Sequence, residues 1–399
     1  MSTKPRRALV DVESARVVAP LAILVTCALL VLMQLYLAIP LAPVLGEDLA
    51  SGGAAVALGT VYSLAYGLGF LIFGPLSDRY GRKAVLVPGM AALAVATAAL
   101  SLASSMALVG VLRAVQGVLA ASFAAVALAY VGEGLPRRWR STGVGAVATA
   151  FLVAGIVGQV YAQVVAEALG WRWVFGLAAP AFALCAIGLR TILIQPPLDR
   201  PPARLAQRYR ELAALARQPQ LGLVYAAACT VLLSFVAMYA ALGPLLETRF
   251  GLDHADVLLV RLAGLPGMVL SPLAGWLVGR LGATRVCVTG FVVAAAGLIV
   301  QAITAATLWG LVLGSAVFVA GIAAVVPAMI TLVGSRAGPA RGGALGLAGL
   351  ALFVGASLGP LTPDLPIGFS GLLLCLASLL LLGAALVTIS SRTTANAKA

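Results

Sequence analysis

The sequence is poor in charge. Only 10% of its 399 residues are charged and 62% are hydrophobic, whereas an average soluble domain carries about 25% charged residues. This composition excludes an ordinary soluble domain and predicts a chain that crosses a membrane many times. Acids are scarcest, with 13 Asp and Glu against 26 Lys and Arg.

Residues that bind metals or perform catalysis are also scarce. The single histidine, His254, cannot form a metal site alone, and the five cysteines lie in apolar runs without metal-ligand spacing. No glycine-rich phosphate loop followed by Lys-Ser or Lys-Thr is present in the sequence, which disfavours ATP-driven activity. We therefore expect no metal site, no cofactor, no catalytic residue and no disulfide framework.

Apolar runs long enough to cross a bilayer, about 20 residues each, predict twelve spans and an all-α membrane protein. The first run is too long for the core of a signal peptide and is interpreted as an uncleaved span. The spans, numbered one to twelve, are predicted at residues 17–40, 54–73, 84–104, 107–131, 142–166, 173–194, 221–246, 256–278, 284–305, 308–333, 343–362 and 366–389.

The basic residues mark one side of the membrane. They precede span one and follow every even-numbered span, whereas the alternate loops hold almost none apart from Arg172 and Arg249. The positive-inside rule therefore predicts that both termini and the even-numbered loops are cytoplasmic, in a protein of the cell membrane. Because the basic residues are scattered through short loops, no nucleic-acid partner is expected.

The spans divide into two halves joined by a linker. In the linker, Leu205, Tyr209 and Leu212 recur at i, i+4 and i+7 with arginines between them, which predicts a short amphipathic helix at the membrane surface. The predicted organisation is a cytoplasmic tail at 1–16, a six-helix bundle at 17–194, the cytoplasmic linker at 195–220, a second six-helix bundle at 221–389 and a tail at 390–399.

The loop between spans two and three carries the most specific motif. Its sequence, Gly74-Pro75-Leu76-Ser77-Asp78-Arg79-Tyr80-Gly81-Arg82-Lys83, contains four charges, and such a segment must face water. The pattern Gly-x-Leu-x-Asp-Arg-x-Gly-Arg-Lys resembles the loop motif of the major facilitator superfamily of secondary transporters. The alternative is a plain positive-inside loop. The resemblance implies a gating motif formed by Gly74, Asp78, Arg79, Gly81, Arg82 and Lys83.

The motif recurs in weaker form in the second half. Gly74, Leu76, Arg79 and Gly81 have counterparts 201 residues later, whereas Gly279 stands in the place of Asp78. The counterparts are Gly275, Leu277, Arg280 and Gly282. A repeat of half the chain's length predicts two related halves. Because only one half carries the acid, we expect the halves to differ in function.

Span four contains a charged residue, Arg113. The segment Arg113-Ala114-Val115-Gln116-Gly117 resembles the superfamily's Arg-x-x-Gln-Gly motif, whose arginine is associated with proton movement in drug–proton antiporters. Arg113 and Gln116 share one helix face, and Gly117 allows close approach of a second helix. The alternative is an arginine bonded to backbone carbonyls of neighbouring helices. Span five departs from the antiporter pattern, because Gly158-Gln159 stands where Gly-Pro is expected.

Further site candidates are polar residues within or at the ends of spans. Glu133 either joins Asp78 in an inner charge network, together with the nearby basic cluster, or is a solvated acid. That basic cluster is Arg137, Arg138 and Arg140. Because polar groups in hydrocarbon are costly, those that occur there are functional candidates. Arg261 either faces the substrate path or extends to the outer surface. The predicted path comprises Gln34, Tyr36, Arg113, Tyr239 and Arg261.

The resemblance covers nearly the whole chain and implies a mechanism. A small, fairly apolar solute would bind between the halves, and rocking of one half against the other would give alternating access. The first expectation is a monomeric, proton-coupled exporter. The alternatives are uptake or facilitated passage of a small solute, and, from another class, a membrane-embedded enzyme or sensor. Because the spans lack clustered acids and histidines, we predict that the protein is not an enzyme.

Overall fold

The computed structural model describes residues 4–195, 205–262, 264, 266–267, 271–337 and 341–396, and its regular structure within these ranges is helical. Eleven helices in the described ranges are long and apolar enough to cross a membrane. The helices containing them are Lys4–Tyr36, Val61–Tyr80 (preceded by a π-helical turn, Val56–Thr60), Arg82–Ser101, Met106–Gly134, Arg140–Leu169, Trp171–Ile192, Pro219–Phe250, Ala283–Ile303, Leu308–Arg336, Arg341–Leu358 and Gly368–Asn396.

These helices correspond to the predicted spans other than span eight, and they confirm the all-α membrane fold class. Span eight falls on two shorter helices, His254–Leu262 and Ser271–Leu281; part of the segment between them lies outside the described residues. The helix of span one begins at Lys4, within the predicted tail, because the hydropathy rule counts only the part of a helix that fits in hydrocarbon. After Tyr36 this helix breaks and resumes as Ala38–Asp48, close to Pro40, which lacks an amide hydrogen.

The two halves share the same turn. Gly81 precedes the helix of span three with a φ of +96°, and Gly282 precedes the helix of span nine with a φ of +86°. Only glycine adopts such angles without a steric cost. The two turns are separated by the offset of the sequence repeat, so equivalent positions in the two halves have equivalent backbones.

The halves contact each other along spans two and eleven. The Tyr66 ring stacks on the Phe353 ring with centroids 4.0 Å apart. Towards one end of this seam, Thr60 Oγ1 donates a hydrogen bond to the Ser357 carbonyl at 2.7 Å. Towards the other end, a Cβ built on Gly342 would lie 3.6 Å from Asp78 Oδ2. We call this second end of the bundle the Asp78 end, and the opposite end the Asp48 end.

The linker helix, Leu205–Ala216, lies over the seam at the Asp78 end. Within the predicted apolar stripe, the Tyr209 side chain is 43% exposed. Leu215 is buried, and it approaches Gly343 of span eleven together with Leu212. One face of the linker helix therefore packs on span eleven. Residues 196–204 of the linker lie outside the described residues.

Asp48 ties two segments together at the Asp48 end. Trp171 Nε1 donates to Asp48 Oδ2 at 2.8 Å and Arg172 Nη1 donates to the same oxygen at 3.1 Å. Both hydrogen bonds lower the pKa of the Asp48 carboxyl, and the bond from Trp171 makes the larger contribution. The resulting stabilisation is fully present above the unfolded pKa of about 3.9 and is lost as the pH falls through the lowered folded pKa.

We therefore expect Asp48→Asn to melt at a slightly lower temperature than the wild type at pH 7. As the pH falls below about 4, the range in which an unfolded aspartate binds a proton, the difference should shrink and disappear. Thermal unfolding of the detergent-solubilised protein over a pH series measures this. Glu47→Gln, at a neighbouring exposed acid, is the matched control, and a melting difference independent of pH would contradict the prediction.

Candidate functional site

Arg113 is fully buried and its guanidinium joins three spans. Nε and Nη2 donate to the Leu58 carbonyl of span two at 2.9 and 2.6 Å. Nη2 also donates to the Gln34 carbonyl of span one at 2.7 Å, and Nη1 donates to Gln116 Oε1 at 2.5 Å. The guanidinium carbon lies 3.9 Å from the centre of the Tyr62 ring. These contacts agree with the alternative that the sequence left open for Arg113, an arginine bonded to backbone carbonyls of neighbouring helices.

Both carbonyls lie where a helix is irregular. Leu58 is in the π-helical turn, and Gln34 is in the last turn before the break after Tyr36. The guanidinium therefore binds carbonyl oxygens at an irregular turn of span two and at the end of the span-one helix. Pro40 signals the helix break in the sequence, but nothing in the sequence signals the π turn.

Gln116 extends these contacts to span three. Its Nε2 donates to Thr97 Oγ1 at 2.8 Å and to Gln34 Oε1 at 3.2 Å. A Cβ on Gly117 would overlap the Tyr62 carbonyl oxygen, so glycine allows spans two and four to touch there. We call Gln34, Thr97, Arg113 and Gln116 the buried polar cluster. Thr97 was not predicted, because a single threonine in an apolar run is not a distinctive signal.

At the Asp78 end, Arg82 links two carboxylates. Its Nη1 lies 2.5 Å from Asp78 Oδ1, and its Nη2 and Nε donate to the two oxygens of Glu133 at 2.7 and 3.0 Å. This two-pronged pairing is the geometry for which a guanidinium is suited. Nη1 also donates to Ser77 Oγ at 2.7 Å. We call Asp78, Arg82 and Glu133 the charge cluster. The sequence placed Glu133 near other arginines, and did not identify Arg82 as its partner.

The charge cluster faces the other half. Gly342, next to the Asp78 carboxylate, is the second residue of the helix Arg341–Leu358 of span eleven. The first turn of a helix carries partial positive charge that favours a carboxylate. Lys83 Nζ donates to the Leu193 carbonyl at 2.6 Å, which fixes the loop to the end of span six. Asp78 therefore lies where the two halves meet.

The other residues of the loop motif do not join the charge cluster. The Arg79 guanidinium carbon lies 5.3 Å from the centre of the Tyr80 ring. Gly74 faces open space, since a Cβ built there would meet no described atom within 4 Å. Gly81 provides the turn described above, and a side chain there would overlap Gln195.

Buried aromatic rings lie between spans one, seven and ten. The Phe235 ring centre is 5.3 Å from that of Tyr36 and 5.0 Å from that of Tyr239, and it is 6.2 Å from that of Phe318. Tyr239 Oη is 3.4 Å from Ser315 Oγ. We call Tyr36, Phe235, Tyr239 and Phe318 the aromatic path. The structure thus brings Tyr36 and Tyr239 together through Phe235, which the sequence did not distinguish from packing residues.

Arg261 lies at a second contact between the halves. It is only 5% exposed, so the expected alternative of an arginine extended to the surface is wrong. Its Nη1 donates to Gln163 Oε1 of span five at 3.0 Å. Gln34, the remaining residue of the predicted path, belongs to the buried polar cluster.

The chain has two repeated halves of long apolar helices, with a charge cluster at one end of their seam and buried aromatic rings between them. These are the features of a multi-pass membrane transporter. The family profile of the major facilitator superfamily matches residues 24–360. The chain belongs to this superfamily, whose members move small molecules, and the prediction that it is not an enzyme is confirmed by the family.

Two relatives illustrate the similarity. The chain is 35% identical over 289 residues to the probable transporter SCO4007 of Streptomyces coelicolor, an alignment covering 71% of this chain and 66% of the relative. It is 26% identical over 254 residues to the inner membrane transport protein YnfM of Escherichia coli, covering 62% of this chain and 60% of the relative. The aligned part of the chain spans less than two thirds of the length of each relative.

Proposed function

We propose that this protein exports a small organic solute across the cell membrane in exchange for protons, acting as a monomer by alternating access. In this proposal the Asp78 end and both termini face the cytoplasm, in agreement with the basic loops at that end. The observation that carries the proposal is the position of the charge cluster against the first turn of span eleven in the other half. Opening that end requires this contact to separate.

The charge cluster also supplies titratable groups for proton coupling. A guanidinium is effectively always charged, so Arg113 cannot carry the proton itself. Protonation of Asp78 or Glu133 would remove one of the charges that pair with Arg82, which would favour opening of the Asp78 end. Arg113 and Gln116 act as positioning residues, because they hold spans one, two, three and four together.

The aromatic path supports a fairly apolar solute. Its rings are buried where spans one, seven and ten meet, and alternating access requires a binding site between the halves. Aromatic side chains provide large apolar contact surfaces, and a tyrosine adds a polar group. In this proposal the Tyr239 hydroxyl, which has Ser315 beside it, recognises one polar group of the solute.

Proteoliposomes loaded with a panel of small organic compounds test the proposal. We expect export of some compounds to require a pH gradient and to stop when a protonophore is added. Asp78→Asn should reduce this transport about tenfold or more, if one charge-assisted contact of about 1.4 kcal/mol is lost from the rate-limiting state, while membrane insertion and solute binding persist. Asp364→Asn, at an exposed acid in another loop, is the control. An export rate that does not depend on the pH gradient would refute this proposal, and so would an Asp78→Asn variant that transports at the wild-type rate.

A further inference from the structure

Two arginines among the described residues are buried within the bundle, and they differ in how far their hydrogen-bonding capacity is used. Arg113 makes four hydrogen bonds to fixed protein groups. Arg261 makes one such bond within the described residues, to the neutral amide of Gln163. Among the described residues, no carboxylate oxygen lies within 4 Å of the Arg261 guanidinium. Because a buried charge is costly unless paired, the partners that Arg261 has among the described residues leave it capacity for an anion.

Arg261 lies on the same side of span seven as the aromatic path. A Cβ built on Gly243 would lie 3.0 Å from Arg261 Nη2, so the glycine allows the guanidinium to approach span seven closely. Phe235, Tyr239 and Gly243 are spaced at i, i+4 and i+8 and share one face of the span-seven helix. At 1.5 Å per residue this face extends about 12 Å. One face therefore leads from aromatic rings to Arg261, a cation with no carboxylate partner among the described residues.

The nearest acidic residue on that face does not neutralise Arg261 by direct contact. Glu247 lies one turn beyond Gly243 and attracts Arg261 electrostatically. Its side chain is exposed, so water and salt weaken the attraction. An anion brought in beside Tyr239 would approach Arg261 from the buried side.

We infer that the transported solute is an organic anion, with a flat apolar body no longer than about 12 Å and a carboxylate that binds Arg261. This inference rests on the proposed function, because it places the solute in the same path. The flat body packs among the rings of the aromatic path, and the carboxylate replaces Gln163 as the acceptor at Arg261. Gln163 belongs to the other half, so solute binding breaks one link between the halves.

Binding of 2-naphthoate to the purified full-length protein tests the inference. Its neutral isostere 2-naphthamide has the same ring system without the charge. We expect 2-naphthoate to bind about tenfold or more tightly than 2-naphthamide, because charge-assisted hydrogen bonds to a guanidinium are roughly twice as strong as neutral ones. Calorimetry or ligand-induced thermal stabilisation measures both. Equal binding of acid and amide, or binding of neither, would overturn the inference, and this comparison requires no mutant.

Three variants locate the site. Arg261→Gln should abolish the preference for the acid, and Gln163→Ala should retain or increase it, because the competing acceptor is removed. Arg249→Gln, at an exposed arginine in the last turn of span seven, should bind as the wild type does. An undiminished preference in Arg261→Gln would overturn the inference. These measurements use no proton gradient, so they are independent of the export assay. Proton-driven export of neutral compounds alone would refute the anion site and would not contradict the proposed function.

Discussion

Replacing Arg113 by Lys is expected to impair transport almost as severely as replacing it by Ala. The guanidinium donates to two backbone carbonyls on different helices and to Gln116, and a lysine ammonium cannot reproduce this planar fork. Each buried acceptor left without a donor costs about 1–3 kcal/mol. Both variants should therefore melt at lower temperatures. Transport per folded molecule should fall about tenfold or more, equivalent to at least 1.4 kcal/mol in the transport barrier, because spans one, two and four lose their relative positions.

The measurement is the proteoliposome export rate, normalised to the amount of folded protein, together with the melting temperature. Arg190 is an exposed arginine near the end of the span-six helix, and Arg190→Lys and Arg190→Ala are the matched controls. Full normalised export by Arg113→Ala would show that Arg113 only stabilises the fold, and would remove it from the transport mechanism.

Arg82→Gln is expected to cause the second large loss. Arg82 is the connection between Asp78 and Glu133, so its removal leaves two carboxylates close together without the intervening cation. Like charges at short distance repel, and the contact at the Asp78 end should weaken. We expect export to fall about tenfold to a hundredfold, as for the loss of one charge-assisted contact worth about 1.5–3 kcal/mol. Arg79→Gln removes a charge from the same loop outside the charge cluster and should have a much smaller effect.

A double-mutant cycle tests whether the cluster acts as a unit. Asp78→Asn and Glu133→Gln should have non-additive effects on the export rate, because both carboxylates bind the same guanidinium. Strict additivity of the two substitutions would argue that Glu133 is merely a solvated acid, the alternative that the sequence left open.

Two properties of the sequence predicted the fold, its hydropathy and its repeated motif. Hydropathy located the spans, because a bilayer requires about 20 apolar residues whatever their neighbours are. The glycine turns at Gly81 and Gly282 were visible through the repeated motif. The sequence could not predict the helical continuation to Lys4 or the packing of Leu215 against span eleven, since both depend on what lies beside the helix.

The candidate site was predicted less completely, because its partners are distant in sequence. Arg82 and Glu133 lie 51 residues apart, and Gln163 and Arg261 lie 98 residues apart. Periodicity compares residues within one helix and cannot identify such pairs. The Leu58 carbonyl was inaccessible to sequence reasoning for another reason: every residue has a carbonyl, and the sequence does not show which one a buried guanidinium binds.

The sharing of one arginine by two acids sets a thermodynamic limit on the proposed exchange. Asp78, Arg82 and Glu133 together carry a net charge of −1 when both acids are ionised. Binding of one proton would neutralise this charge, so the proposed exchange carries one proton per transport cycle if the charge cluster is its proton site. A difference of one pH unit is worth about 1.4 kcal/mol per proton. Without a membrane potential, such a carrier can therefore maintain a solute concentration ratio of at most about ten per pH unit.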